Sequence, residues 1–359
     1  MATTITAALR RAQAPPGRLA AIGGARFLAI AAIVARHYAH YLTPLAPDLA
    51  RALAGLDFCE FFFAASGFFL QGAALRRGTP PDWRHAGRQL AKLYPLHAAT
   101  MAFFALAVLV GGMQGSLNGV PLGRCLAAQA ALVHAYGLLP ALCLNYPSWF
   151  LSAIVGMYLA APALAAVARP WPGLAIVAAL VLLLQFAGST DLLRDWTSWT
   201  WDAGVIRALP SFLFGMVLAR LDAGRRPPGI AAGRAAILAG YACLAASVAL
   251  MLAGLVPLLA KAALQWGLLA ALVAGERAGA ASWLGHPWLD RMGRSAFALF
   301  LLHAPVAAVL MNVVAIRLLH VQGAALVAAL LVTFAAALCA ARAYDRWIGD
   351  RLAFGAAPR

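Results

Sequence analysis

Long unbroken apolar stretches alternate with short polar clusters along this chain. Stretches long enough to span a bilayer cover 19–42, 56–75, 89–111, 147–168, 172–187, 205–221, 230–252, 256–275, 295–316 and 322–344. Several sit near the lower limit of about 17 residues for a membrane helix. The pattern predicts an all-α, polytopic transmembrane helix bundle of about ten spans. An eleventh is possible at 125–142, a weaker stretch that contains His134, Gly137 and Pro140. Cytoplasmic loops collect Lys and Arg, and this rule separates the two counts. With ten spans and both termini cytoplasmic, 21 of the 28 basic residues fall inside. A span at 125–142 would invert everything after it and destroy the bias, so that stretch reads as re-entrant or interfacial. The expected organisation is a cytoplasmic segment 1–18, a membrane domain 19–344 and a cytoplasmic tail 345–359. There is no internal repeat and no linker to a second domain.

Composition agrees. The 359 residues are 64% hydrophobic and only 11% charged, against about 25% charged in soluble domains. The net charge of +16 fits the inside bias and anionic headgroups. No basic–aromatic run accompanies it, so nucleic acid is excluded as a partner. The start, MATTITAALRRAQAPPGRLA, lacks the apolar core and cleavage site of a signal peptide, so the first helix is expected to be retained. Five scattered Cys lack CxxC or CxxH spacing and read as small apolar fillers, with neither a metal site nor a disulfide expected. The loop 188–204 falls outside and holds three Trp, which either anchor at the interface or stack on a sugar ring.

Candidate chemistry begins in RFLAIAAIVARHYAHYL (26–42). Arg26 and His37 are 11 residues apart, three turns plus 20°, so they share one helix face about 16 Å apart along the axis. Arg26 reads either as snorkelling to headgroups or as a functional cation. His37 reads either as interfacial or as a proton-transfer group. Glu60 enters the second helix at the depth of His37; it either orients that imidazole or pairs with Arg36 or Arg51. Ser66 and Gly67, deeper in, read first as close helix packing.

Six ordered segments then resemble the membrane acyltransferase family 3, the O-acyltransferases of cell-surface sugars, lipids and some natural products. Arg26–x10–His37 is similar to the family's first-helix signature, and EFFFAASGFF (60–69) to its DxFFxxSGF segment. RQLAKLYPLH (88–97) resembles RxxRxxP, with Lys92 where Arg is usual, and PSWFLSAIVGMYLAAP (147–162) resembles WSLSxExxxYxxxP. IRALPSFLFGMVLA (206–219) and MGRSAFALFLLHAPV (292–306) resemble the later helices. Ile154 replaces the family's frequent Glu, and Phe297 and Phe300 stand where Tyr is usual.

The resemblance implies acyl transfer from an acyl-CoA, acetyl-CoA foremost, to a hydroxyl of a carbohydrate or glycolipid acceptor at a bacterial inner membrane. The alternative acceptor is a small glycosylated metabolite such as a macrolide. CoA is a co-substrate on this reading, with no permanently bound cofactor, and membrane lipids are the remaining partners. His37 is the expected general base and Glu60 its orienting partner. Arg26, Arg88 and Lys92 would hold CoA phosphates at the cytoplasmic mouth, and Arg207, Trp149 and His303 would contact substrate. His303 has a second reading, in which it satisfies the backbone carbonyl freed by Pro305. A CoA held at the mouth needs a narrow channel along the first helix to reach His37. A closed channel would require a cytoplasmic acceptor or a covalent acyl-enzyme. The competing class is a transporter or flippase with the His and Arg as a relay or anion site.

Overall fold

The computed structural model describes residues 19–168, 170–189, 200, 202–255 and 258–349. The loop 188–204, with all three of its Trp, falls largely outside them, as do residues 1–18 and 350–359. Among the described residues every regular element is helical. The principal helices are α1 (Ala20–Tyr38), α2 (Pro47–Ala54), α3 (Cys59–Arg77), α4 (Trp83–Gly111), α5 (Leu122–Ala130), α6 (Trp149–Val167) and α7 (Trp171–Ser189). They continue with α8 (Gly204–Gly224), α9 (Ile230–Leu252), α10 (Leu258–Arg277), α11 (Pro287–Arg294), α12 (Ala296–Ala307) and α13 (Ala325–Tyr344).

Over its described residues, each of the ten apolar stretches falls on one of these helices or on its direct continuation. Eight helical segments among the described residues are long and apolar enough to cross a bilayer. The other two stretches form α7, whose apolar part is shorter, and α10, which carries Lys261. The stretch 125–142 begins inside a nine-residue helix, Leu122–Ala130, and continues in turns, so it forms no helix long enough to cross a bilayer. Large apolar side chains such as Leu109, Leu182, Phe186 and Leu331 lie on the outside of the bundle. That surface suits lipid and would be a liability in water.

Glycines set the closest approaches. A Cβ added at Gly67 of α3 would lie 2.0 Å from the Phe212 carbonyl oxygen of α8, and one at Gly215 of α8 would lie 1.9 Å from that of Ala64. The two backbones therefore touch directly, as small residues permit in membrane bundles. The start of α1 has no side-chain cap of its own, and its Ala21 N–H donates to Glu276 Oε1 at 2.9 Å. This anchors the helix that carries Arg26 and His37 to the end of α10. Beyond Pro305, α12 loosens into π-helical winding over Ala308–Leu318, a feature frequent near functional sites.

Candidate active site

His37, half-buried near the end of α1, meets His303 of α12. Its Nδ1 lies 2.8 Å from His303 Nε2, and the rings stack 4.9 Å apart. His303 Nδ1 reaches the Leu299 carbonyl at 3.2 Å. A carbonyl only accepts, so His303 Nδ1 carries the hydrogen. In the neutral ring His303 Nε2 is then an acceptor, and His37 Nδ1 must donate to it. The free lone pair of the pair is therefore on His37 Nε2. Tyr38 donates its hydroxyl to the His303 carbonyl at 3.0 Å, and the Tyr146 ring packs edge-on against His37 at 5.0 Å. The carbonyl freed by Pro305, that of Leu301, is taken by Asn145 Nδ2 at 3.3 Å and not by His303.

Glu60 is elsewhere. Its Oε1 accepts from Arg207 Nε at 2.9 Å, and its Oε2 lies 3.7 Å from Lys261 Nζ. Asp57 binds Arg207 at 2.6 Å and Lys261 at 3.2 Å, with Arg36 at 3.6 Å on the exposed side. All four inner partners are buried. Two carboxylates and two cations cancel, and no described hydrogen bond joins Glu60 to His37. The expectation that Glu60 orients His37 is corrected: a carboxylate at that depth follows the nearest buried cations. Arg207, expected at substrate, is held in this cluster, with its guanidinium 5.1 Å over Trp149. Trp149 is thereby buried as packing for Arg207 and Phe63. Lys261 ties α10 to the start of α3.

Arg26 lines a cavity of about 230 Å³ with Ser66, Gln89 and Tyr158 at its polar end. Ile30, Ile33, Phe150, Ile154, Phe297 and Phe300 make the rest apolar. Thus Ile154, Phe297 and Phe300, three of the departures from the motifs, converge on one space. Arg88 and Lys92 do not line it: α4 turns Gln89 and Leu93 inward and leaves both cations exposed. Arg88 sits 4.0 Å from Asp82. A second cavity, of about 450 Å³, lies beyond His37 and is walled by Tyr38, Tyr41, Ser116, Asn118, Tyr146 and Asn312, among others. Tyr41 donates to Asn312 there at 2.8 Å. Ile33 of the inner space and His37 of the outer are one turn apart, as are Phe300 and Ala304, so the two linings adjoin within about 6 Å along the axis. Phe150 and Phe300, with ring centroids 5.5 Å apart, line the inner space beside His303. In place of the expected single channel, two adjoining cavities lie along α1.

The segment from 113 to 148 walls the outer cavity. Ser152 of the PSWFLS motif donates to the Leu132 carbonyl at 2.7 Å and accepts from Ala135 N–H at 3.1 Å. Ser148 donates to the Asn145 carbonyl at 2.6 Å and meets His134 Nε2 at 3.0 Å. Burial holds the His134 imidazole down to about 4, so the ring is neutral near pH 7. His134 is buried and does not line the cavity. His97 Nε2 donates to the Gln129 carbonyl at 2.9 Å. A disulfide joins Cys125 to Cys143, which corrects the filler reading for these two residues. Sequence reasoning also missed Asn145 and Asn312, which carry no motif of their own.

A polytopic helical membrane bundle with a paired imidazole between two internal cavities is the class these features define. The family model described as an acyltransferase domain, of acyltransferase family 3, matches residues 19–342. The chain belongs to that family and is a membrane acyltransferase. No curated protein and no solved structure matches it.

Proposed function

We propose that the protein moves an acyl group, acetyl foremost, from acyl-CoA to a hydroxyl of a carbohydrate-containing acceptor at the inner membrane of a bacterium, with His37 as general base. The observation that carries this reading is the hydrogen-bond chain Leu299 carbonyl–His303–His37. It leaves a lone pair on His37 Nε2, on a residue that borders the outer cavity. The acceptor hydroxyl gives its proton to that nitrogen as its oxygen attacks the thioester carbonyl. The C–O bond forms, the C–S bond breaks, and the CoA thiolate leaves and takes the proton back. Such a base contributes about 10²–10⁴-fold. His303 is a positioning residue: it holds the tautomer and shares the charge that develops on His37.

The donor enters from the Arg26 end. Arg26, Gln89 and Tyr158 receive its polar part, and the thioester advances past Phe150 and Phe300. The acceptor occupies the outer cavity, where Tyr38, Tyr41, Tyr146 and Asn312 offer aromatic faces and hydroxyl or amide partners suited to a sugar. The Cys125–Cys143 disulfide favours an oxidising compartment on that side, in keeping with the charge bias of the loops.

The test is mass spectrometry of envelope glycans, glycolipids and small glycosides from cells with and without the protein. One acyl mass should appear with wild type and vanish with His37→Ala at equal expression. His303→Ala should reduce it strongly, and His303→Gln, which keeps an acceptor for His37 Nδ1–H, should keep part of it. Wild-type acylation by His37→Ala would remove the base. Substrate flux without CoA consumption in proteoliposomes would replace the enzyme with a transporter.

A further inference from the structure

The largest of the cavities described, about 610 Å³, takes no part in this chemistry. It lies between the C-terminal ends of α3, α8 and α10, at the end of the bundle that holds Arg26. Its walls are apolar, from Phe68, Leu75, Leu218 and Val273, and its rim carries Arg76, Arg225, Arg226 and Arg277. Arg277 is neutralised: its guanidinium grips Asp222 at 2.9 and 3.1 Å. Among the described residues Asp222 is the one carboxylate on the lining, so Arg76, Arg225 and Arg226 present three positive charges to the pocket that no described lining carboxylate offsets. The volume falls in the range of about 300–1,000 Å³ usual for small-molecule sites.

An apolar wall below a cationic rim fits an amphiphile with an anionic head. Fixed guanidinium forks match phosphate oxygens, and basic pockets between membrane helices suit phospholipid headgroups. The donor nucleotide is already assigned to the Arg26 cavities, and this pocket shares no lining residue with either of them. We propose that this pocket binds an anionic glycerophospholipid, with its phosphate among Arg76, Arg225 and Arg226 and an acyl chain against Leu75, Leu218 and Val273.

The full chain, purified in neutral detergent, is titrated with phosphatidylglycerol, phosphatidylcholine, glycerol 3-phosphate and CoA and read by native mass spectrometry. Phosphatidylglycerol should bind at least tenfold more tightly than phosphatidylcholine. The triple variant R76Q/R225Q/R226Q should lose at least tenfold of that affinity. R84Q/R291Q/R294Q, with the same charge change outside the pocket, should lose less than twofold. Gly72→Leu keeps every arginine and pushes a side chain into the cavity; it should also weaken the lipid at least tenfold, which covers a triple variant that fails to fold. Equal losses in the two triple variants would reduce the effect to diffuse charge. Glycerol 3-phosphate binding as tightly as the lipid would make this a soluble-phosphate site, and displacement of the lipid by CoA would make it a nucleotide site. Each of these overturns the proposal.

Discussion

Removing one cation from the buried cluster gives the sharpest test of the packing logic. Lys261 Nζ lies 3.2 Å from Asp57 and 3.7 Å from Glu60, with every side chain in the group at most 8% exposed. At an effective dielectric of about 20 these two attractions are worth roughly 5 and 4.5 kcal/mol gross. Desolvation of the ammonium offsets several kcal/mol of that. Lys261→Met recovers the desolvation cost but leaves two buried carboxylates against one buried cation, with only the half-exposed Arg36, 3.6 Å from Asp57, to offset the surplus. The expected net loss is about 3–5 kcal/mol. Glu60→Gln in the Lys261→Met background removes the surplus charge, while its amide oxygen still accepts from Arg207 Nε. It should return about 2 kcal/mol. Reversible unfolding in mixed detergent and dodecyl sulfate, followed by circular dichroism, measures all three variants and wild type. If Lys261→Met costs under about 0.5 kcal/mol, or if the two substitutions simply add, the charges are not coupled and the argument fails.

Gly215→Ala should cost about 1–3 kcal/mol or abolish folded yield, because its methyl meets the Ala64 carbonyl oxygen at 1.9 Å; Gly87→Ala on exposed α4, with nothing within 4 Å, should be neutral or stabilising in the same assay. Ser152→Ala orphans the Leu132 carbonyl and the Ala135 N–H, and should raise hydrogen exchange across 122–148 by a local loss of about 1–3 kcal/mol. Peptide mapping without reductant should recover Cys125 linked to Cys143, and Cys143→Ser should cost about 3 kcal/mol for a loop of 18 residues; two free thiols in protein from intact cells would sink the pairing. For His134, the folded value of about 4 lies below the ordinary value of about 6.5, so the native state prefers the neutral ring; the stability it confers is full above about pH 6.5 and is lost as pH falls toward 4, about 3 kcal/mol in all. Hydrogen exchange of 122–148, corrected for intrinsic rate, should therefore rise between pH 7 and 5, and a flat profile would refute the assignment.

The helices were legible because lipid imposes long apolar runs, and those runs leave little else to form. The Arg26–His37 face was legible because 11 residues close three turns of a helix. The partners of those residues were not, since they arrive from distant helices: His303 is 266 positions from His37. Glu60 and His37 share a depth, but depth alone does not set azimuth around the bundle. A signal for the true pairing existed. Asp57, Glu60, Arg207 and Lys261 all enter at the same end of predicted spans and sum to zero charge. Arg88 and Lys92 form one stripe of α4, with Gln89 and Leu93 on the next, 100° round. Only the neighbours decide which stripe turns inward. The disulfide also had a signal, since Cys125 opens the one stretch read as non-spanning and Cys143 follows directly after it.

The substitution of His303 for a carboxylate beside His37 changes what the proposed chemistry requires. A His–carboxylate pair carries a negative charge at rest, which is costly to bury without a further cation. Here the nearby carboxylates are closed into their own neutral cluster, and the hydrogen-bond chain through the imidazole pair needs no resting charge. Proton transfer from an acceptor hydroxyl then creates the positive charge at the moment the thioester carbonyl develops a negative one. Those charges would appear together beside the apolar rings of Phe150 and Phe300, where a low-dielectric surrounding strengthens their attraction. A resting ion at His37 would have weakened that contrast between ground state and transition state. On this reading the neutral second histidine and the segregation of every nearby carboxylate onto Arg207 and Lys261 serve one end. Moving a carboxylate to position 303 should therefore raise the basicity of His37 and still slow acyl transfer.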